Sequence, residues 1–393
     1  MNEVSSSLYW SLPGPAGFRN RVSDAARNAR ALFLNFPQHM PVNPRAAVEQ
    51  SLVDANVYDP VLLTIQEGMN ISREVGVHFG GTNMPAQSLV HHHYGAAHAV
   101  VLFAAGLRSQ SHCEKYAKEF MDALKDSEGD VRLVVALQSA DFQHDMQEAQ
   151  LRVIAFDGGL TASEMQAYVM QRMVSYEGPG STSLYRHLVM EYASFDAKLA
   201  ERLCEMDSNL LLSLPQSLDA MLSEELLRWS KKEWVMGTLT TVSSEIHPLY
   251  EWYVARHPGP DAAYFNKKSR ERYWRACVKA LIPWLEERRA RVISTLHGPL
   301  MKLANSQGQI KKMIGRNELL VEVDGLEFND IAFFCYSAPS FIPSALSQLQ
   351  RQAVDVSKLA KKVRDDIAHL RAPDPALISD LITEMDSFVA NAN

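Results

Sequence analysis

Between Phe265 and Arg316 the chain carries thirteen Lys or Arg against three Glu. That is a local charge of +10 in a chain of net charge −7, so the remaining residues carry −17. The candidate contact residues among these cations are Lys267, Lys268, Arg270, Arg272, Arg275, Lys279, Arg288, Arg289 and Arg291, with Tyr273, Trp274 and Trp284 among them, then Lys311, Lys312 and Arg316; Lys302 is the thirteenth cation. Cations at this density neutralise phosphates or carboxylates, and interleaved aromatics fit a nucleic-acid surface. The segment is read as a binding surface for nucleic acid or for an acidic partner protein. The alternative is that it docks on the chain's own acidic part, with its aromatics in the core. Reversing charge at Arg270, Arg275 and Lys279 is expected to abolish nucleic-acid retention at moderate salt.

One short motif could support proton transfer. Arg364-Asp365-Asp366-Ile367-Ala368-His369 places a guanidinium and an imidazole close in sequence, the pair needed to stabilise a phosphate and move a proton. The motif resembles that of HEPN ribonucleases, which implies metal-independent RNA cleavage by Arg364 and His369. On one helix the two lie about 140° apart, so they would converge only at a kink or across a dimer interface. The family favours Asn after the Arg, where this chain has Asp365. Lys361 with Asp365 and Lys362 with Asp366 also form ordinary i,i+4 pairs on a solvated face.

Other chemistries find no support. His91-His92-His93 point three ways in any regular structure and have no carboxylate at helical ligand spacing, so a polar loop is expected and no metal. Cys113, Cys204, Cys277 and Cys335 stand too far apart for a zinc motif or a disulfide framework. There is no Gly-x-Ser-x-Gly elbow and no GxGxxG fingerprint opening a helix after a strand. No cofactor is expected. A hydrophobic fraction of 47% with 22% charged residues is that of a globular chain. Its apolar runs are far shorter than the roughly 20 residues that span a bilayer, and the polar start of the chain does not read as a secretory signal. The expectation is a cytoplasmic protein with no membrane contact.

The elements that must position these residues fall in two halves. Ala31–Phe36, Val61–Ile65, Ala99–Ala104, Val131–Leu137 and Arg152–Phe156 are continuous apolar runs, as strands covered on both faces require. Pro44–Val53 and Cys113–Leu124 read as helices between them, and residues 67–97 as a long loop. Thr161 with Glu164 forms a capping-box signal for a following helix. The fold class is therefore α/β plus all-α: an open, mostly parallel five-stranded sheet followed by a helical region with one β-hairpin. Glu177-Gly178-Pro179-Gly180-Ser181 reads as a hinge. Domains are expected at 1–177, 183–260, 261–337 and 338–393. Helices are expected over Leu184–Met206, Leu218–Trp234, Asp261–Leu281, Pro283–Leu296 and Ser357–Leu370, with Asp374-Pro375 opening a last one. Glu318–Val323 and Leu326–Ile331 flank Asp324-Gly325, a type I′ hairpin signal.

This element order resembles the P-loop ATPases of the AAA and STAND groups, whose α/β half precedes helical and winged-helix modules. The resemblance covers most of the chain but not its motifs. After the first strand a phosphate loop needs glycines and a lysine, and this chain has Phe36-Pro37-Gln38-His39-Met40-Pro41. The third strand ends Leu102-Phe103-Ala104-Ala105-Gly106, without the expected acid. The resemblance thus implies a pseudo-NTPase: a non-catalytic scaffold or adaptor subunit of a multiprotein assembly, of the kind found in bacterial genome (antiviral) defence. Other protein subunits and nucleic acid are the expected partners. The alternative is the ribonuclease. A third reading is an atypical nucleotide switch near His39 and Asp157, in the crevice beyond the strand ends, where Gln38, Gln66, Glu67, Gly106, Gln138 and Asp141 are also expected.

Overall fold

The computed structural model describes residues 3–36, 42–93, 98–105, 107–125, 127–138, 146–147, 150–156, 158–174, 176, 182–225, 247–257, 259–314 and 317–392. The chain divides into two compact units. One comprises residues 1–172, 193–201 and 224–250, and the other residues 173–192, 202–223 and 251–393.

The first unit holds the sheet. Its strands are β1 (Ala31–Phe36), β2 (Val61–Ile65), β3 (Ala99–Ala104), β4 (Arg132–Gln138), β5 (Met146–Gln147) and β6 (Leu151–Ala155). They lie in the order β2-β3-β4-β1-β6-β5. All the pairings are parallel except that of β6 with the two-residue β5. Three strands match the sequence reading to the residue and two are shifted by one, because continuous apolar runs mark strands buried on both faces. The order differs from both dinucleotide-binding and flavodoxin-like arrangements, since β4 is inserted between β1 and β3.

Helices α1 (Glu3–Ser11), α2 (Pro13–Asn28), α3 (Pro44–Asp54), α4 (Ile71–His78), α5 (Ala86–Val90), α6 (Leu107–Leu124) and α7 (Ala162–Arg172) complete this unit's N-terminal part. Strand alternation sorts the core. Val100, Leu102, Leu133 and Val135 pack with Cys113, Tyr116, Phe120 and Leu124 of α6 and with Leu89 and Val90 of α5. Residues 67–97 are therefore not the single long loop expected: α4 and α5 interrupt them. Both are too short for hydrophobic periodicity to reveal. The α7 capping box forms as expected. Thr161 N–H donates to Glu164 Oε2 at 2.8 Å, and Glu164 N–H to Thr161 Oγ1 at 3.3 Å. Glu164 Oε1 also accepts from Gly14 N at 2.6 Å. Burial alone would raise the Glu164 carboxyl, but these bonds hold it below the usual carboxylate range.

A tight node sits under the sheet at the Val90 carbonyl, which accepts from Arg30 Nη2 at 2.6 Å and Ser127 Oγ at 2.5 Å. Gly129 lies against it: a Cβ there would meet Val90 O at 2.3 Å and His92 O at 2.9 Å, both backbone atoms. Gly129→Ala should thus destabilise the protein by about 1–3 kcal/mol. Gly17→Ala, in α2 with nothing within 4 Å of the new methyl, should stabilise by about 0.5–1 kcal/mol. Urea unfolding of the two variants checks the contrast, and equal stabilities would refute it.

The second unit is helical. It contains most of α8 (Thr182–Ala193), then the end of α9 (Ala197–Cys204), α10 (Ser208–Leu212), most of α11 (Asp219–Glu225) and most of α12 (Pro248–Arg256). After these come α13 (Ala262–Met301), α14 (Phe328–Ser337), α15 (Gln348–Ala368) and α16 (Pro375–Asn391), with the strands β7 (Gln309–Ile314) and β8 (Asn317–Glu322). Several expectations need correction. The two helices placed on either side of Pro283 are one 40-residue helix, α13, that carries Pro283 and Pro299 inside it. The helix expected over 184–206 breaks at Ser194, which takes φ 53°, and α9 follows. The expected 218–234 helix is seen as α11, and residues 226–246 lie outside the described set. The hairpin is displaced: β7 pairs with β8, and Asp324-Gly325 falls in a 3₁₀ turn after β8. That turn leads to Glu327, the N-cap of α14. The hinge residues 177–181 also lie outside the described residues.

Candidate functional sites: the sheet crest and the basic helix

In open α/β sheets ligands bind beyond the carboxyl ends of the strands. Gln38, His39, Gly106, Asp141 and Asp157, expected on this crest, lie outside the described residues, while Gln66 and Glu67 are exposed after β2. The last residue of β1 and the residue after β6 pack on the first two helices. Phe36 closes β1, and Phe156 follows β6 with its N–H on Asn35 O at 2.9 Å. The Phe18 ring of α2 lies 5.4 Å from Phe36 and 4.7 Å from Phe156, and Trp10 of α1 lies 5.5 Å from Phe156. All four side chains are buried. The Trp10 indole N–H donates to Val42 O at 2.6 Å, fixing the chain just after the 37–41 segment. Tyr9 adds a bond from its hydroxyl to Gly158 O at 3.1 Å, beyond β6. This packing is apolar, and the Arg21 guanidinium beside it lies 5.9 Å from the Phe18 ring and donates to Ala155 O at 2.9 Å. The paired aromatics Tyr9-Trp10 were its only trace in the sequence, because the cluster assembles residues more than a hundred positions apart.

The basic segment is redistributed by folding. Arg272 is buried at 4% exposure. Its Nε and Nη2 donate to the Glu251 carboxylate at 2.8 and 3.2 Å, and its Nη1 donates to Glu191 O at 2.8 Å. Arg275 Nε and Lys279 Nζ both reach the Glu191 carboxylate, at 2.8 and 2.6 Å. Arg288 stacks its guanidinium 4.4 Å from the Trp284 ring and bonds that residue's carbonyl. Arg289 pairs with Glu286 and donates to the carbonyls of Asp324 and Leu326. Arg291 is half-buried on α13, Lys311 pairs with Glu318 across the hairpin, and Lys312 reaches Asp330 at 2.7 Å. Arg316 lies outside the described residues. Three cations in the first turns of α13 remain in solvent contact without a buried carboxylate. Lys267 approaches Glu271 only to 3.8 Å, the Lys268 ammonium rides 5.3 Å over the Tyr264 ring, and Arg270 is exposed with no ion pair among the described residues. Glu191 and Glu251, which take up Arg272, Arg275 and Lys279, carry no signal that marks them in the sequence.

Arg364 and His369 sit on and just after α15. Arg364 Nη1 bonds Glu327 Oε2 at 2.5 Å. Glu327 and Asp330 form a reciprocal capping box at the start of α14. The bond from Arg364 holds the Glu327 carboxyl below its ordinary range. His369 is exposed at the C-cap of α15. The structure thus gives Arg364 a carboxylate partner and leaves His369 in solvent.

Two further acid/base candidates resolve into structure. His247 and Asp196, both buried, meet at 2.9 Å through Nε2 and Oδ2. Leu249 N–H donates to His247 Nδ1 at 3.1 Å, so Nδ1 is an acceptor and Nε2 carries the proton to Asp196. With both ring nitrogens engaged, this imidazole is an anchor rather than a base. In the histidine run, His91 and His93 are exposed while His92 meets the Phe79 ring edge-on at 5.1 Å. Among the described residues no group of three His, Cys, Asp or Glu is placed to hold a metal ion. The Cys113 and Cys335 thiols are pushed up to about 12 by burial, which removes them as nucleophiles.

No protein-family model matches the sequence, and no curated protein matches it. Among solved structures the chain is similar to the RuvB Holliday junction branch migration motor of Thermotoga maritima, at 9% identity and TM-score 0.32. That overlay covers 79% of this chain and 92% of that one. It is also similar to the Drosophila ORC bound to AT-rich DNA and Cdc6, at 9% identity and TM-score 0.32, covering 98% and 71%. A third is the HORMA:CdnC:Trip13 complex of E. coli MS115-1, at 8% identity and TM-score 0.32, covering 66% and 94%.

Proposed function

We propose that this chain is a non-catalytic, NTPase-like scaffold or adaptor subunit of a multiprotein assembly. The observation that carries the reading is the aromatic packing of Trp10, Phe18, Phe36 and Phe156 at the ends of β1 and β6. It stands where a phosphate loop would follow the first strand, and the residues there, Phe36-Pro37-Gln38-His39, offer neither glycine nor lysine. The strand order, with β4 inserted between β1 and β3, is the arrangement that the resemblance to AAA-type ATPases implies. The fold is then kept for docking, with an apolar core in place of a charged nucleotide cradle. A role in genome defence follows from that resemblance alone.

The partner-binding part of the basic segment narrows to the start of α13, where Lys267, Lys268 and Arg270 stay free of buried carboxylates. Arg275 and Lys279 are poor sites for charge reversal, since a carboxylate there would face Glu191.

The test is an ATP and GTP hydrolysis assay with Mg²⁺, run beside thermal melting with each nucleotide. The expected result is no turnover above buffer and an unchanged melting temperature. Turnover, or a clear rise in melting temperature with either nucleotide, would sink the scaffold reading. A salt titration on labelled single-stranded RNA and duplex DNA, with RNA length checked afterwards, separates the rest. Shortened RNA that stays intact with His369→Ala would move the assignment to Arg364 and His369.

A further inference from the structure

The end of α15 carries an unusual cap. His369 is the C-cap, Leu370 N–H bonds Ile367 O at 3.1 Å and Arg371 N–H bonds Asp366 O at 2.8 Å, the two bonds of a Schellman motif. The residue that must turn left-handed in this motif is normally Gly, or Asn, since a Cβ is strained there. Here it is Leu370, at φ 56°. The same leucine is 74% exposed. A branched apolar side chain is therefore held in a strained backbone position and thrust into water. Neither feature helps the isolated chain fold, and a strained outlier of this kind points to a use.

The surroundings say what that use is. Lys267, Arg270 and Trp274 fall at i, i+3 and i+7 of α13, on one face of the helix. The Trp274 indole N–H donates to Ile367 O at 2.9 Å, which brings that face to the last turn of α15. The cations here lie outside the network around Glu191 and Glu251. The Lys267 and Arg371 side chains are 78% and 62% exposed, the second touching Asp366 at 3.1 Å. Arg270 and His369 are exposed as well. The exposed Leu370 thus follows a helix end that packs on α13, and both helices carry exposed cations there, with the carboxylates of Glu271 and Asp366 among them. Trp274 is half-buried, and the group most exposed among these cations is the apolar side chain of Leu370, not an open ring of the kind on which bases stack.

We propose that Lys267, Arg270, Trp274, His369, Leu370 and Arg371 form a docking surface for an acidic amphipathic segment of a partner protein. Leu370 enters an apolar pocket of that segment, and its carboxylates meet Arg270, Lys267 and Arg371. The proposal rests on the adaptor reading and deepens it by naming the chemistry of the partner. A central apolar anchor with a charged rim is the arrangement in which a few residues carry most of the affinity, while the rim sets on-rate and salt dependence.

The test uses the full chain with three labelled probes: a synthetic Glu/Leu amphipathic helical peptide, its Gln/Leu counterpart, and single-stranded RNA. The expected result is binding of the Glu/Leu peptide that weakens with salt and exceeds binding of the other two. Leu370→Gly should reduce that binding by about tenfold or more while leaving the melting temperature unchanged or higher, because glycine suits the left-handed cap. Lys267→Glu with Arg270→Glu should reduce it similarly. Equal binding by Leu370→Gly and the parent chain, equal binding of the Gln/Leu peptide, tighter binding of RNA, or no binding of any probe would each overturn the proposal. Nucleotide turnover by the intact chain would sink the scaffold reading alone and leave this outcome readable.

Discussion

Glu251→Ala is expected to destabilise the helical unit by about 3–5 kcal/mol, the cost of removing one partner from a buried ion pair. Glu251 is 1% exposed and Arg272 4%. The guanidinium makes two bonds to that carboxylate and a third to Glu191 O. After the substitution Arg272 keeps its charge in a buried setting and loses both bonds to the carboxylate. The matched change Glu251→Leu with Arg272→Met removes both charges and nearly keeps the volume, so it should cost far less. Lys267→Ala, by contrast, removes an exposed charge near Glu271 and should shift stability by less than about 0.5 kcal/mol. Urea unfolding followed by circular dichroism checks the series. A loss below about 1 kcal/mol for Glu251→Ala would mean that water reaches the pair and that the charge network is a surface feature.

The second large effect belongs to Trp10. Its ring is 4% exposed, it packs on Phe156 at 5.5 Å, and its N–H bonds Val42 O at 2.6 Å. Trp10→Ala removes a large buried side chain and should cost about 3–5 kcal/mol. Trp10→Phe keeps most of the apolar contact but leaves the Val42 carbonyl unpaired, for a loss of about 1–3 kcal/mol. The difference between the two variants isolates packing from the hydrogen bond. If both unfold at the same urea concentration, the aromatic packing contributes little, and the crest of the sheet would have to be regarded as loosely filled. In that case the main support for a non-catalytic scaffold disappears with it.

Local patterns were legible wherever the residue's surroundings follow from its neighbours in sequence. The parallel strands could be read because burial on both faces leaves continuous apolar runs such as Ala99–Ala104. The caps at Thr161/Glu164 and Asp374 could be read because the side chain and the N–H it serves are two or three residues apart. Pro283 misled the reading. A proline inside a helix loses one hydrogen bond and strains one turn, but the buried run Ala276, Cys277, Ala280, Leu281, Trp284 and Leu285 continues through it and holds the helix together. Asp324-Gly325 misled it in the same way. A strong turn signal gives a change of direction, not the partner strand, and here the turn ends β8 rather than joining two strands.

The sequence by itself determined that the chain has a buried, mostly parallel sheet, a helical second half, no standard phosphate or nucleophile motif, and a concentration of positive charge in residues 265–316. These depend on composition and short spacing. Tertiary structure alone decided which of those charges face solvent. Glu191 stands 84 residues from Arg275 and 88 from Lys279, and Glu251 lies outside the basic stretch altogether. Charge is additive along a chain, but availability is not: a cation is free only if no carboxylate is brought beside it. The same holds for the ends of β1 and β6, where Trp10, Phe18, Phe36 and Phe156 are ordinary core residues in sequence and become one aromatic cluster only once the two strands lie side by side.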